Sequence, residues 1–213
     1  MPLFAALLIL PLLHAASAPP VRAKHGMVSS ASAPATDAGV EVLRKGGNAI
    51  DAAVATAFAL AVTYPTAGNI GGGGFMIVRM ADGRTAAIDY RETAPALASK
   101  TMFLDAQGNV IPDASKTGHR AVGVPGTVAG MVLAHEKFGK LPWKDVVAPA
   151  VRLARDGFVV SHTFARALQG MEKRFSPYAA SKRIFKPVDE GRTFRQPELA
   201  ATLTRIAESG RAG

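Results

Sequence analysis

Arg91 is the side chain best placed to act on an outside molecule. It lies in Ile88-Asp89-Tyr90-Arg91-Glu92-Thr93-Ala94-Pro95, at the end of a predicted strand. A strand end is a rigid place from which to present a group into a cleft. A guanidinium stays charged and binds a carboxylate through two parallel hydrogen bonds. From the residues alone a salt bridge to Asp89, Glu92 or another surface acid is the commoner reading. The glycine run Gly71-Gly72-Gly73-Gly74 raises the idea of a phosphate loop, since glycine N–H groups can cradle an anion at a helix start. The order of elements argues against it. A phosphate loop follows a strand and opens a helix, whereas this run follows a helix and opens a strand. Four glycines do allow another backbone to approach closely.

Other candidate chemistry is sparse. His25, His119, His135 and His162 show no metal-ligand spacing with each other or with acids, and His14 falls in the apolar N-terminus. The pairs Asp89/Glu92 and Asp189/Glu190 could do acid–base work, but adjacent loop carboxylates are more often solvated charges. There is no Cys, which excludes disulfides, thiolate metal sites and Cys nucleophiles. Trp143, the only Trp, is expected to anchor a helix start in the core.

The elements that must position Arg91 follow from pattern and punctuation. A helix is expected over Ala33–Lys45, stopped by Gly46-Gly47. Asn48 should cap a second, Ala49–Val62, with Asp51 in its first turn, where a carboxylate suits the helix dipole. That helix is apolar on nearly every face and should be buried. Strands are expected over Phe75–Met80 and Arg84–Tyr90, joined as a hairpin across Asp82-Gly83. Residues 105–126 read as loop. Helices then follow over Thr127–Phe138, from Pro149 through Ala150–Asp156, after a Ser161 cap, and over Glu198–Glu208 behind Pro197.

Composition sets the broad class. The 213 residues are 48% hydrophobic and 19% charged, with a net charge of +9. That balance excludes an extended disordered chain. Residues 19–139 carry 11 basic and 9 acidic side chains; residues 140–213 carry 14 and 7. The basic residues of the second part are scattered, without interleaved stacking aromatics, so no nucleic-acid partner is expected. Leu3–Leu13 is apolar except for Pro11. It is shorter than the roughly 20 residues that span a bilayer. Ala16-Ser17-Ala18 supplies a small-residue cleavage pattern. Residues 1–18 therefore read as a signal peptide, residues 19–213 as the exported portion, and no membrane span is expected.

Several blocks carry a family resemblance. Gly46-Gly47-Asn48-Ala49-Ile50-Asp51-Ala52-Ala53-Val54-Ala55 precedes Gly68-Asn69-Ile70-Gly71-Gly72-Gly73-Gly74-Phe75-Met76. The Ile88–Pro95 block, Gly123-Val124-Pro125-Gly126-Thr127-Val128-Ala129-Gly130 and Leu153-Ala154-Arg155-Asp156-Gly157-Phe158 follow in order, and Val21–Val28 leads them. Together they resemble the γ-glutamyltransferases, also called γ-glutamyltranspeptidases or glutathione hydrolases.

The resemblance implies an α+β fold, part of a four-layer αββα N-terminal-nucleophile hydrolase, here a mostly helical portion with a β-hairpin. It implies cleavage of γ-glutamyl amides such as glutathione and transfer of the acyl group to water, amino acids or peptides. It places the nucleophile on the N-terminal Thr of a separate small subunit. Arg91 becomes the large-subunit residue that grips the substrate α-carboxylate. No residue of this sequence is assigned as catalytic, and no cofactor or metal is implied. Residues 19–213 correspond to an N-terminal fragment of the large subunit, expected to be inactive alone, in a periplasmic or secreted enzyme. A noncatalytic secreted binding module and part of a cephalosporin acylase are the alternatives.

The N-terminal reading makes one direct prediction. N-terminal sequencing of the protein from an exporting host should begin at Pro19. An intact Met1 on soluble cytoplasmic protein would contradict it.

Overall fold

The computed structural model describes residues 20–213; the signal peptide expected over residues 1–18 lies outside them. Among the described residues, seven α-helices and two small antiparallel sheets make the fold α+β and mainly helical, as expected. α1 (Ala33–Arg44) and α2 (Ala49–Thr63) form the opening helical hairpin. β1 (Phe75–Arg79) pairs with β2 (Thr85–Asp89) in the register Phe75↔Asp89 to Arg79↔Thr85. Then come α3 (Thr127–Phe138), α4 (Trp143–Asp156), β3 (Phe158–Val159), α5 (His162–Phe175), α6 (Ala179–Ile184), β4 (Thr193–Phe194) and α7 (Pro197–Ser209).

The core is built around α2. Val54, Ala55, Phe58, Ala59 and Val62 are fully or almost fully buried. α1, α3 and α4 all pack on α2, and α7 packs on α4. Trp143 opens α4 and lies edge-on to Phe58, with ring centres 5.7 Å apart. Its indole N–H donates to the Ile206 carbonyl at 2.8 Å, tying the start of α4 to the end of α7. The hairpin turns one face, Met76, Val78, Ala86 and Ile88, to this core. Its other face leaves Phe75 and Ile77 exposed.

One buried carboxylate joins two helix junctions. Asn48 Oδ1 accepts from the Ile50 and Asp51 N–H groups, and Asp51 Oδ2 accepts from the Asn48 N–H at 2.9 Å. This is a reciprocal capping box. Asp51 is completely buried. Its carboxylate also accepts from the backbone N–H groups of Lys140 at 3.0 Å and Leu141 at 3.3 Å. The Asn48 amide donates to the Phe138 carbonyl at 2.6 Å. His135 Nε2–H donates to the Leu141 carbonyl at 2.8 Å and lies 3.6 Å from Asp51 Oδ1.

One expectation needs correction, and two elements were not expected. The fourth helix does not begin at Pro149. It begins at Trp143, with Pro149 buried inside it. An interior proline costs about 3 kcal/mol. Burial of Val146, Val147, Ala150 and Ala154 on one stripe outweighs that, at roughly 1.5–3 kcal/mol for each valine. The short helix α6 was not expected, because six residues give little periodic signal. The β3–β4 pairing was not expected either, since Phe158 and Phe194 meet across a long sequence separation. Their rings and Phe164 pack together at 5.2–5.9 Å between centres.

Two predictions follow from this frame. Asp51→Ala leaves the Asn48, Lys140 and Leu141 N–H groups without their acceptor at a part-buried junction. It should destabilise the protein by about 3 kcal/mol or more in urea unfolding; a change below about 1 kcal/mol would remove Asp51 from this role.

The second concerns Glu41 on α1, which accepts from Arg152 on α4 at 2.7 Å and from Lys45 at 2.6 Å. Burial alone would raise its carboxyl, but the Lys45 and Arg152 hydrogen bonds hold it below its ordinary value. A lowered folded-state value means the pairing adds stability above the ordinary carboxylate range. That stability goes as the pH falls through the lowered value. Arg152→Ala should therefore cost about 0–1 kcal/mol at pH 7, and the gap to the parent should narrow toward about pH 3. A gap independent of pH would mean that Arg152 acts through packing of its stem.

Candidate functional site

Arg91 follows β2 rather than ending it. β2 closes at Asp89, and Tyr90 extends the ladder by one bond, from its N–H to the Gly74 carbonyl at 3.0 Å. The Asp89 carboxylate then accepts the Arg91 backbone N–H at 3.0 Å. Asp89 is therefore engaged with the Arg91 backbone rather than with its side chain.

The backbone around Arg91 is held from two sides. On one side stands the glycine run: a Cβ on Gly73 would lie 2.7 Å from both Arg91 Cα and the Glu92 nitrogen. On the other stands the entry to α3: a Cβ on Gly126 would collide with the Tyr90 carbonyl and lie 3.0 Å from that of Arg91. No side chain fits at either place. The two sides are joined to each other, because the Gly72 carbonyl accepts from the Gly126 N–H at 2.8 Å and the Thr127 N–H at 3.0 Å. Beyond Arg91, Thr93 pairs with Val124 through reciprocal backbone bonds of 3.1 and 2.8 Å. Tyr90 is half-buried beside Gly74, Gly126 and Gly130, and burial pushes its phenol up.

The Arg91 side chain is free where its backbone is not. It is 65% exposed, and its Nε is 3.9 Å from the Glu92 carboxylate. That is its only ion pair among the described residues. The guanidinium carbon stands 5.9 Å from the centre of the exposed Phe75 ring. An exposed pair at the limit of contact is worth about 0–1 kcal/mol, so an incoming carboxylate displaces it at little cost. The group lies on an open face rather than in the expected cleft. The outer side of the hairpin is uncovered here, with Ile77 80% exposed.

The remaining candidates do not join this site. His25 and His119 are exposed, and His162 pairs with Glu190 on the surface at 3.1 Å. His135 belongs to the Asp51 junction, at the other end of α2. Among the described residues no group of three or more His, Asp or Glu is placed to hold a metal ion. No helix among them is long and apolar enough to cross a membrane. The residues that sequence reasoning did not single out are Asn69 and Thr127. Asn69 Oδ1 accepts from the Gly72 N–H at 2.8 Å and from the Thr127 hydroxyl at 2.9 Å. An Asn three residues before a glycine is a local turn signal, but its second partner is distant in sequence.

Comparison with known proteins agrees with this grouping of blocks. Residues 35–213 match the model of the family described as gamma-glutamyltranspeptidase. The chain is 53% identical over 196 residues to the glutathione hydrolase proenzyme of Escherichia coli strain K12, covering 90% of this chain and 34% of that protein. The chain thus spans about a third of the length of the curated relatives it matches. The crystal structure of Helicobacter pylori gamma-glutamyltranspeptidase superposes with a TM-score of 0.86 at 45% identity, covering 90% of this chain and 56% of that one. A cephalosporin acylase from Bacillus halodurans shares the fold at a TM-score of 0.73 and 30% identity, covering 83% of this chain and 34% of that one.

Proposed function

The chain belongs to the γ-glutamyltranspeptidase family, and on that premise we propose that it is the N-terminal large-subunit portion of an enzyme that cleaves γ-glutamyl amides such as glutathione. The observation that carries the reading is the contrast at Arg91: a backbone wedged between Gly73 and Gly126, and a guanidinium left free. Arg91 takes the α-carboxylate of the γ-glutamyl group through paired hydrogen bonds. The substrate's γ-carbonyl is thereby held at a fixed distance from Arg91.

The nucleophile in this proposal is a Thr hydroxyl of a small subunit, as the family resemblance implies. Its oxygen adds to the γ-carbonyl, the C–N bond breaks, and the leaving amine takes up a proton. Water or an acceptor amine then attacks the resulting ester and releases the Thr. The exposed outer face of the hairpin, with Phe75 beside Arg91 and Ile77 farther along the strand, supports a partner polypeptide on this side. The apolar Leu3–Leu13 run and Ala16-Ser17-Ala18 support a periplasmic or secreted location. The higher identity to glutathione hydrolases than to the cephalosporin acylase favours the γ-glutamyl substrate.

The test uses the intact enzyme, with this chain and its small subunit. Arg91→Ala should lower kcat/KM for a γ-glutamyl anilide by roughly 30- to 1000-fold, or about 2–4 kcal/mol. Arg91→Lys keeps the charge but loses the paired bonds and should fall between. The thermal midpoint should move little, because the side chain is mostly exposed. If Arg91→Ala unfolded the protein while the folded fraction kept normal kcat/KM, Arg91 would be a structural residue.

A further inference from the structure

We propose that Asn69 is a positioning residue for Arg91, acting with Thr127 as a clamp across the two segments that hold the Arg91 backbone. The inference rests on the reading of Arg91 as the carboxylate-binding group. Asn69 follows α2 and precedes the glycine run, and it touches neither the Arg91 side chain nor the open face where substrate would lie. Its reach is through the backbone.

Three observations define the clamp. First, the Asn69 side chain makes three hydrogen bonds. Oδ1 accepts from the Gly72 N–H and the Thr127 hydroxyl, and Nδ2 donates to the Ala67 carbonyl at 3.0 Å. One amide thus bends the 67–72 loop and anchors it to α3. Second, Thr127 is buried and offers its backbone N–H to the Gly72 carbonyl as well. Gly72 is therefore held at both of its backbone polar atoms, the N–H by Asn69 and the carbonyl by Gly126 and Thr127. Third, the neighbours of those atoms, Gly73 and Gly126, are glycines on which a Cβ would run into the backbone of Tyr90, Arg91 and Glu92.

The consequence is mechanical. Four glycines in a row carry little conformational preference of their own. Without Asn69, the direct tie between the glycine run and the entry to α3 is reduced to the Gly72 carbonyl bonds. The Arg91 Cα would then be free to shift within its slot. A paired guanidinium–carboxylate contact is sensitive to such a shift, since a misplacement of about 1 Å can cost on the order of a hundredfold. The clamp thus acts on recognition of the substrate carboxylate and not on the chemistry at the γ-carbonyl.

The experiment compares two substrates of the intact enzyme: a γ-glutamyl anilide, and the γ-aminobutyryl anilide that lacks the α-carboxylate. The readout is the ratio of their kcat/KM values, which does not depend on how much of a variant is folded. Asn69→Ala should lower that ratio about tenfold or more. Thr127→Val, similar in shape but without the hydroxyl, should lower it in the same direction, and Thr127→Ser should restore it. Asn69→Asp keeps the acceptor and should retain most of the preference. Combined with Arg91→Ala, Asn69→Ala should add little further loss, as expected for two residues acting through one contact.

An unchanged ratio in both Asn69→Ala and Thr127→Val overturns the clamp, as does a loss that simply adds to that of Arg91→Ala. If Arg91→Ala itself left the ratio unchanged, the carboxylate-binding reading would fail instead, and the clamp with it.

Discussion

The buried carboxylate of Asp51 is the constraint on which the arrangement depends. A charge taken out of water is costly unless its oxygens are satisfied. Here the donors are backbone N–H groups from two chain turns far apart in sequence: Asn48, entering α2, and Lys140 and Leu141, leaving α3. The only arrangement that satisfies them puts the start of α2 beside the end of α3. The two helices then run antiparallel. The end of α2 must meet the start of α3, which is where Asn69 bonds Thr127. A 15-residue helix is about 22 Å long, so the polar junction sits at one end of a rod whose other end leads to the segment that flanks Arg91.

That geometry explains why Arg91 can be exposed and still well placed. Its order does not come from partners of its own side chain, which are weak. It comes from a backbone slot between two glycine-containing segments. One segment is the exit of α2 and the other the entry of α3, and both are set by the helix pair. Side-chain ion pairs would have worked against binding, since each would need to be broken before a carboxylate could enter. Locking the backbone and leaving the guanidinium with one weak, exposed pair keeps that cost small.

The parts legible in the sequence are those governed by local rules. Asn48 capped α2 as its side chain requires, Gly46 stopped α1 with φ of +90°, and Asp82-Gly83 turned the hairpin. α1, α2, α3 and α7 fell within one or two residues of their expected limits. The misread parts are governed by tertiary burial. Pro149 looked like a helix start because the rule for prolines is local, while the stripe that overrides it is read only once α2 and α7 are in place. β3 and β4 are two residues each and exist because three Phe rings pack. Asp51 was legible as a first-turn acid, but its role as a tie to Lys140 was not, since both donors there are backbone atoms that leave no mark on residue type.

The same limit applies more sharply to the site. Only Arg91 has a side chain whose chemistry announces a ligand. The residues around it are Gly72, Gly73, Gly126, Asn69 and Thr127. They are ordinary loop and cap residues, and their work is to be small or to bond a peptide group. Their spacing in sequence follows no period, because it is set by the length of a hairpin and a loop excursion between the segments that meet. No reading of composition or motif could have joined Asn69 to Thr127. What makes those blocks informative is that a slot made of backbone tolerates almost no substitution at its walls. A Cβ on Gly73 or Gly126 would push on Arg91 itself. The glycine-rich blocks thus mark where the chain passes close to the Arg91 backbone, and a candidate site of this kind is found by steric exclusion rather than by reactive groups.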